Sequence, residues 1–231
     1  MPSGLRDNNL KNSRHPSSPR WSLLGCGALG GVFASLLTQS GQPTRVLLSE
    51  RHRATLHPGI DFTSLEGHTQ LLAIERGFID KPGAIQRLLV MTKAGQVVSA
   101  LTPLAGKLAA GVPIVLLHNG MGIAEQVVQL FPHNPVIAGV TSHGAMQSGH
   151  FVFRHTGKGE TWLGPINEAA RAHAHLADEL ASAAKYGAAV DAVRFRLPSA
   201  MRPTAVSLTV DCDVDLDALG GFPWRRGLEI G

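Results

Sequence analysis

Short, largely aliphatic runs alternate with helix-compatible segments along the first 140 residues of the chain. Runs of this kind are typical of strands that are buried on both faces of a parallel sheet. The pattern predicts strands at 22–24, 45–48, 88–91, 114–117 and 136–140. It predicts helices between them at 28–39, 96–110 and 123–130. This alternation indicates an α/β fold, a doubly wound parallel sheet with helices on both faces.

The pattern changes after residue 140. Residues 149–154 and 160–163 predict a pair of late strands, antiparallel to each other, and a weaker strand signal lies earlier, at 67–74. The alanine-rich segment 167–185 predicts a helix.

Three regions of different character follow from these patterns. Residues 1–20 are polar and rich in Ser, Asn and Arg, and we expect a disordered leader there. Residues 21–190 form the predicted nucleotide-binding domain. Residues 191–231 lose the periodicity and form an atypical tail whose prolines break any long helix, namely Pro198, Pro203 and Pro223.

Composition narrows the expected partners. The 231 residues carry a net charge of +4, with basic residues scattered along the chain, which suits a protein that handles anionic small molecules. The chain has one tyrosine and no basic run, which argues against nucleic acid. The apolar run at 23–37 is short and rich in glycine, so no membrane span is predicted.

Cysteine and histidine positions give no sign of a metal site. Cys26 and Cys212 are the two cysteines, and no C-x-x-C occurs, so neither zinc nor a disulfide framework is indicated. This usage is typical of a reducing cytoplasm. His173 and His175 are two residues apart on a predicted helix, so we expect them to face different directions on the surface.

A glycine-rich turn at 25–30 carries the strongest chemical signal. It follows an apolar run and opens a predicted helix, which is the context in which G-x-G-x-x-G binds a dinucleotide. The first glycine permits the turn, the second gives a pyrophosphate room, and the third lets the helix pack closely. A tight turn without a ligand is the alternative. The predicted cofactor residues of this turn are Gly25, Cys26, Gly27, Ala28, Leu29 and Gly30.

The segment after the second predicted strand bears on the choice of cofactor. An acidic residue there binds the ribose 2′-hydroxyl of NAD, and an arginine accommodates the 2′-phosphate of NADP. Glu50 lies twenty residues after Gly30, so NAD stays open. Arg51 and Arg53 bracket the site and favour NADP, because a guanidinium fork suits phosphate. An ordinary charged loop is the alternative.

Two further strands end in polar residues. Lys93 follows one strand and precedes Gln96, and Asn119 follows the next. Ligands of open α/β sheets lie beyond the carboxyl ends of the strands, so these side chains are expected to meet in one crevice. Taken singly, the lysine would be a solvated charge and the Asn-Gly pair a structural turn.

Taken in order, these motifs resemble the ketopantoate reductase (2-dehydropantoate 2-reductase) family. The resemblance covers about 21–164. Its motifs are Gly-Cys-Gly-Ala-Leu-Gly at 25–30, Val-Met-Thr-Lys-Ala-x-Gln at 90–96, His-Asn-Gly-Met-Gly at 118–122, and the segments 139–145, 155–159 and 163–165.

The resemblance implies a Rossmann-like domain and an NADPH-dependent reduction of 2-dehydropantoate, a 2-oxo acid, to pantoate. It implies that the glycine turn holds the pyrophosphate and that Arg51 holds the 2′-phosphate. Lys93 and Gln96 would line the NADP(H) site, and Ala145 would lie beside the cofactor. Asn119 would touch cofactor and substrate, and Lys93 and Asn119 are the expected catalytic residues.

Family members continue into a helical domain that begins with a Trp-x-Lys-Leu-x-x-Asn motif, whose lysine donates a proton. That lysine should fall near Ala200, yet the last lysine is Lys185 and the last asparagine is Asn167. We therefore expect a truncated or frameshifted reductase with the helical domain largely missing and impaired activity. A non-catalytic NADP-binding module and a dehydrogenase for another 2-oxo acid are the alternatives. Apolar surface left without that domain makes a homodimer a candidate assembly.

Overall fold

The computed structural model describes residues 20–52, 58–118, 122–185 and 193–195. The strands in this part of the chain form two sheets, one of eight strands and one of four. In chain order they are β1 (Trp21–Leu24), β2 (Thr44–Leu48), β3 (Ile60–Thr63), β4 (Thr69–Leu72), β5 (Glu75–Phe78), β6 (Arg87–Val90), β7 (Ile114–Leu117), β8 (Val136–Thr141), β9 (Gly144–Gly149), β10 (Val152–Gly157), β11 (Thr161–Pro165) and β12 (Val193–Phe195).

The large sheet has the strand order β12-β11-β8-β7-β6-β1-β2-β5. Neighbouring strands are parallel throughout, except that β11 runs antiparallel to β8. Every residue of β1, β6 and β7 is buried, as expected for central strands covered on both faces. The predicted α/β fold class and the five predicted strands are confirmed.

Helices cover both faces of the large sheet, as predicted, and enclose two apolar cores. On one face, α1 (Ala28–Gln39) and α4 (His175–Lys185) pack over the sheet. On the other face, α2 (Val97–Leu101) and α3 (Ala124–Leu130) pack against the alternate strand positions. Within the described residues, no helix has the length and apolar character needed to cross a membrane.

Two predicted helices are wrong in length. The segment 96–110 contains only the short α2, with 3₁₀ turns at Ala94–Gln96 and Thr102–Leu104 on either side. Pro103 stands in the second turn and has no backbone N–H to continue the α-helical ladder.

The predicted helix at 167–185 is likewise divided, into a 3₁₀ segment at Glu168–His173 and then α4. Because the chain changes its helical geometry between the two histidines, the rings of His173 and His175 approach to 5.7 Å between centroids. The expectation that these side chains face different directions is therefore wrong.

The small sheet has the order β4-β3-β10-β9 and was not predicted as a separate layer. The weak strand signal at 67–74 corresponds to β4. The predicted pairing of 149–154 with 160–163 is wrong, because β10 pairs with β9 and β3 while β11 pairs with β8 in the large sheet. Alternation along a strand predicts which face is buried, and it carries no information about which strand lies beside it.

Helix α1 lies between the two sheets. Its apolar residues are buried almost all round, with Val32, Phe33, Leu36 and Leu37 in one core together with residues of both sheets. A Cβ atom added to Gly31 would lie 2.4 Å from the ring of Phe153, a residue of β10. Glycine at this position therefore lets the small sheet approach the helix closely.

The ends of the predicted nucleotide domain differ slightly from expectation. Arg20, placed in the predicted leader, donates its backbone N–H to Gln86 Oε1 at 2.6 Å and pairs with Glu75 at 2.7 Å. Strand β12 lies just past the predicted boundary at 190 and pairs with β11. Residues 1–19 and the rest of the predicted tail lie outside the described residues.

Candidate functional site

A cleft of about 860 Å³ opens where β1, β2, β5 and β6 reach their carboxyl ends. It is lined by the last residues of β1 and β2 and by residues that follow the four strands, at 24–27, 47–50, 79–80 and 91–93. The carboxyl edge of an open parallel sheet is the usual ligand position in this class of fold. The cleft is thus the place where the predicted motifs should be compared with the structure.

Backbone clearance explains two of the three glycines in the turn. Gly25 has a φ of +101°, and a Cβ there would lie 2.6 Å from the backbone nitrogen of Thr92. A Cβ on Gly30 would lie 1.9 Å from the carbonyl oxygen of Gly25. Neither contact is possible for a larger residue, so the strand can pass directly into α1 only with glycine at both positions.

Gly27 has a different role, because a Cβ there would meet nothing within 4 Å. It lines the cleft and is the N-cap of α1, where no side chain of the described residues accepts a hydrogen bond from the helix. The first turn of α1 also contains no acidic residue. Free backbone N–H groups and the positive end of the helix dipole therefore adjoin open space, which fits a pyrophosphate group.

The other residues of the turn support it. Cys26 lines the cleft as a free cysteine, and burial raises its pKa to about 12, so it is a neutral thiol and not a nucleophile at physiological pH. Leu29 packs against the core beneath the helix. Ala28, the first residue of α1, does not line the cleft. Within the described residues, no group of three or more His, Cys, Asp or Glu side chains is arranged to hold a metal ion.

The turn after β2 forms one end of the cleft. Glu50 lines it, and Ser49 Oγ is hydrogen bonded to His52 Nδ1 at 2.8 Å. Arg51 belongs to the same 3₁₀ turn, although its side chain is not among the described parts of the chain. Arg53 lies outside the described residues.

Lys93 and Gln96 both line the cleft, and both are exposed. Lys107 joins them there, and its Nζ donates a hydrogen bond to the backbone oxygen of Asp80 at 3.3 Å. Two lysine ammonium groups therefore border a cleft next to the start of α1. This arrangement favours an anionic ligand.

The remaining predicted site residues lie elsewhere or are not described. Asn119 falls outside the described residues. Its neighbour His118 directly follows β7, and both of its ring nitrogens are buried with no hydrogen-bond partner among the residues that the structure describes. Burial lowers the pKa of this imidazole. Ala145 lies on β9, partly buried against the core, and does not line the cleft.

Several residues that line the cleft were not predicted from the sequence. Asp80 and Lys107 follow β5 and α2, and neither is part of a recognisable motif. The small sheet contributes a further unpredicted group, which comprises Gln147, His150, Phe151 and Phe153. No local pattern could have identified these residues, because their position depends on the packing of the small sheet over α1.

Comparison with known proteins gives one family. The sequence profile described as "Ketopantoate reductase PanE/ApbA" matches residues 21–168. The 2-dehydropantoate 2-reductase of Salmonella typhimurium is 33% identical over 159 residues, which cover 69% of this chain and 50% of that protein. The Escherichia coli O157:H7 enzyme of the same name is 30% identical over the same shares. The chain thus spans about half the length of these curated relatives.

Solved structures show the same fold. The 2-dehydropantoate 2-reductase of Geobacter metallireducens GS-15 is 26% identical with a TM-score of 0.62, and the match covers 78% of this chain and 57% of that chain. D-mandelate dehydrogenase, solved with NADH and anilino(oxo)acetate, has a TM-score of 0.66 at 18% identity, over the same shares. At that identity the likeness concerns the fold alone.

Proposed function

The chain belongs to the ketopantoate reductase PanE/ApbA family, and from this membership we propose that its cleft binds NADP(H) for the reduction of 2-dehydropantoate to pantoate. The observation that carries the proposal is the glycine turn, with two positions closed to any side chain and one open beside the uncapped start of α1. Membership of the family supports the proposed reduction, and the geometry of the cleft supports NADP(H) as the proposed cofactor. A cytoplasmic location is part of the proposal and rests on the cysteine usage.

The cleft, at about 860 Å³, has the volume of a cofactor site and extends along the strand ends, so we place the dinucleotide across them. Gly27 would adjoin the pyrophosphate, and the turn after β2 would meet the adenosine ribose, where Arg51 is proposed to hold the 2′-phosphate. Lys93 and Gln96 would lie along the same ligand. Gly25 and Gly30, where a Cβ would meet backbone atoms, keep the strand and the helix close together. Gly27, where a Cβ would meet nothing, leaves room for the phosphate.

Bound NADPH supplies the hydride in this class of reaction. The chain's own part is to orient the 2-oxo acid and to stabilise the negative charge that develops on its carbonyl oxygen. We assign that stabilisation to the ammonium of Lys93 and the side-chain amide of Asn119. Ala145 does not line the cleft, so its proposed place beside the cofactor rests on the family resemblance alone.

Substitution of Gly27 tests the cofactor site without disturbing the fold. Gly27→Asp and Gly27→Asn both introduce a favourable N-cap residue into open space, so α1 should be as stable as before or more stable. The aspartate carboxylate would face the pyrophosphate, and two unit charges ~4 Å apart repel by about 4 kcal/mol at an effective dielectric constant of ~20. We expect NADPH affinity to fall at least about thirtyfold for Asp and far less for Asn.

Fluorescence of bound NADPH measures this affinity directly. Equal loss in the two variants would indicate steric exclusion, and unchanged binding in Gly27→Asp would place the cofactor elsewhere. Oxidation of NADPH in the presence of 2-dehydropantoate, compared with other 2-oxo acids, tests the reaction separately. Binding without turnover would favour a non-catalytic NADP-binding module, and turnover with a different acid would favour a related dehydrogenase.

NAD is the alternative cofactor, and the position of Glu50 supports it. Glu50 lines the cleft at the end of β2, where an acidic side chain would accept the ribose 2′-hydroxyl of NAD. The ratio of the dissociation constants for NADPH and NADH decides between them. Preference for NADH would replace NADP with NAD in the proposal and leave the site unchanged.

A further inference from the structure

The cleft has a wall that comes from the small sheet. His150 and Phe151 form the turn between β9 and β10, and they line the cleft together with Ser49, Glu50 and His52 of the turn after β2. The two turns lie about a hundred residues apart in the chain. They meet because the small sheet packs over α1 and brings its β9–β10 turn to the carboxyl edge of the large sheet.

A buried phenylalanine fixes the position of this turn. Phe151 is only 4% exposed, and the Arg76 guanidinium lies 5.8 Å from the centre of its ring. Its backbone has a φ of 58°, a conformation that bulky residues rarely adopt. Surrounding contacts must hold such a residue in place. His150, directly before it, is therefore held at the edge of the cleft.

The turn places two imidazoles side by side. The ring centroids of His52 and His150 are 5.9 Å apart, and the ring planes differ by 27°. Ser49 Oγ is bonded to Nδ1 of His52. The ring of His150 forms no hydrogen bond within the described residues, and the side chain is exposed. Its ring nitrogens can therefore meet a ligand at this end of the cleft.

We infer that His150, beside His52, contacts the 2′-phosphate of NADP, so that the small sheet takes part in the choice between NADP and NAD. The inference rests on the proposed cofactor function, which places the adenosine ribose at the turn after β2. Two imidazoles provide donors to a phosphate, and they bind it more strongly when they carry a proton.

The charged groups around the pair influence this contact from several elements. Carboxylates favour the protonated imidazole, and ammonium or guanidinium groups oppose it. The acidic groups lining the cleft are Glu50 and Asp80; the basic groups are Lys93 and Lys107 in the cleft and Arg76 over the ring of Phe151.

Titration calorimetry with NADP⁺ and NAD⁺ tests the inference, because the oxidised cofactors tolerate mildly acidic buffers. Each titration gives the dissociation constant for one cofactor, and the ratio of the two constants measures the preference for NADP⁺. His150→Gln should weaken NADP⁺ binding about fivefold and NAD⁺ binding by less than about twofold, as expected for one exposed charged contact.

His68→Gln is the matched control, because His68 is an exposed histidine of the small sheet's β3–β4 turn and does not line the cleft. It should leave the ratio of NADP⁺ to NAD⁺ affinity unchanged. An unchanged NADP⁺-to-NAD⁺ ratio in His150→Gln would overturn the inference while the cofactor site stands. Failure of the unsubstituted protein to bind either dinucleotide would instead overturn the proposed function, and this inference with it.

Discussion

Two turns border the candidate cleft, and they depend on different physical requirements. The glycine turn at 25–30 is specified by backbone clearance, since Cβ atoms at Gly25 and Gly30 would collide with main-chain atoms. The β9–β10 turn is positioned by a buried side chain, Phe151, and presents His150 to the cleft. The difference shows that one wall of a ligand site can be encoded locally while the opposite wall depends on long-range packing.

This contrast also predicts how each wall tolerates substitution. A main-chain obstacle cannot move far, so changes in the glycine turn should cost folding free energy as well as binding. A side chain at the rim of the cleft can change with little effect on the fold, so changes there should affect binding alone. Three stability measurements, in decreasing order of expected effect, test this division and the contacts that join the two sheets.

Gly30→Ala should have the largest effect. The added Cβ would lie 1.9 Å from the Gly25 carbonyl oxygen, so the strand-to-helix turn must open. We expect the free energy of unfolding to fall by more than about 3 kcal/mol, above the usual cost of overpacking because the obstacle is backbone. Urea denaturation followed by circular dichroism measures it. A loss of less than about 1 kcal/mol would show that the turn can adapt to a side chain. The glycine turn and the rim of the cleft would then not differ in their tolerance of substitution.

Acidification should weaken the contact between the two sheets. His143, between β8 and β9, has its Nδ1 2.9 Å from Nε2 of His155 on β10, and both rings are buried. Burial, and secondarily the neighbouring His155, lowers the pKa of His143 to about 4. Burial also lowers the pKa of His155.

A folded-state pKa below the ordinary value near 6.5 means that the unfolded chain binds the proton more readily. The stability from the neutral ring is therefore complete above about pH 6.5 and is lost as the pH falls toward 4. We expect the free energy of unfolding to be about 2 kcal/mol lower at pH 5 than at pH 7.5. Urea titrations of the wild type and of His143→Gln at both pH values test this. Equal pH dependence in the two proteins would assign the effect to other groups.

Gly31→Ala should have the smallest of the three effects. Its Cβ would meet the ring of Phe153 at 2.4 Å, and this obstacle is a side chain that can adjust. We expect a loss of about 1–2 kcal/mol, because the overpacking cost is partly offset by the better helix propensity of alanine. Combining it with Phe153→Leu should recover part of that loss in a double-mutant cycle. If the losses in unfolding free energy of the two single variants simply add, the strain in Gly31→Ala does not come from the contact with Phe153.

The binding experiments at Gly27 and His150 complete the comparison. Gly27 belongs to the locally encoded turn, yet it is the one glycine of the three whose added Cβ meets nothing. Its substitution should therefore behave like a change at the rim, with loss of affinity and no loss of stability. If Gly27→Asn unfolds the protein, backbone clearance is not the property that separates the two walls.

Much of the large sheet could be predicted from the sequence. Five aliphatic strands and the helix at 28–39 were located because buried parallel strands and an apolar helix have strong local patterns. The helix at 96–110 was overestimated, since Pro103 and the 3₁₀ turns interrupt a favourable composition. The small sheet was missed as a layer, because its strands come from two separate parts of the chain and pair only in the folded protein.

The sequence by itself determined the fold class, the glycine turn and the family, because these depend on hydrophobic spacing and on backbone conformations that only glycine permits. The tertiary structure decided which residues share the cleft with that turn. Lys107, His150 and Phe151 reach it through contacts that span much of the chain, and such contacts leave no periodic or motif signal. The physical reason is that turn geometry is fixed by neighbouring residues, whereas the opposite wall is fixed by how two sheets pack on one helix.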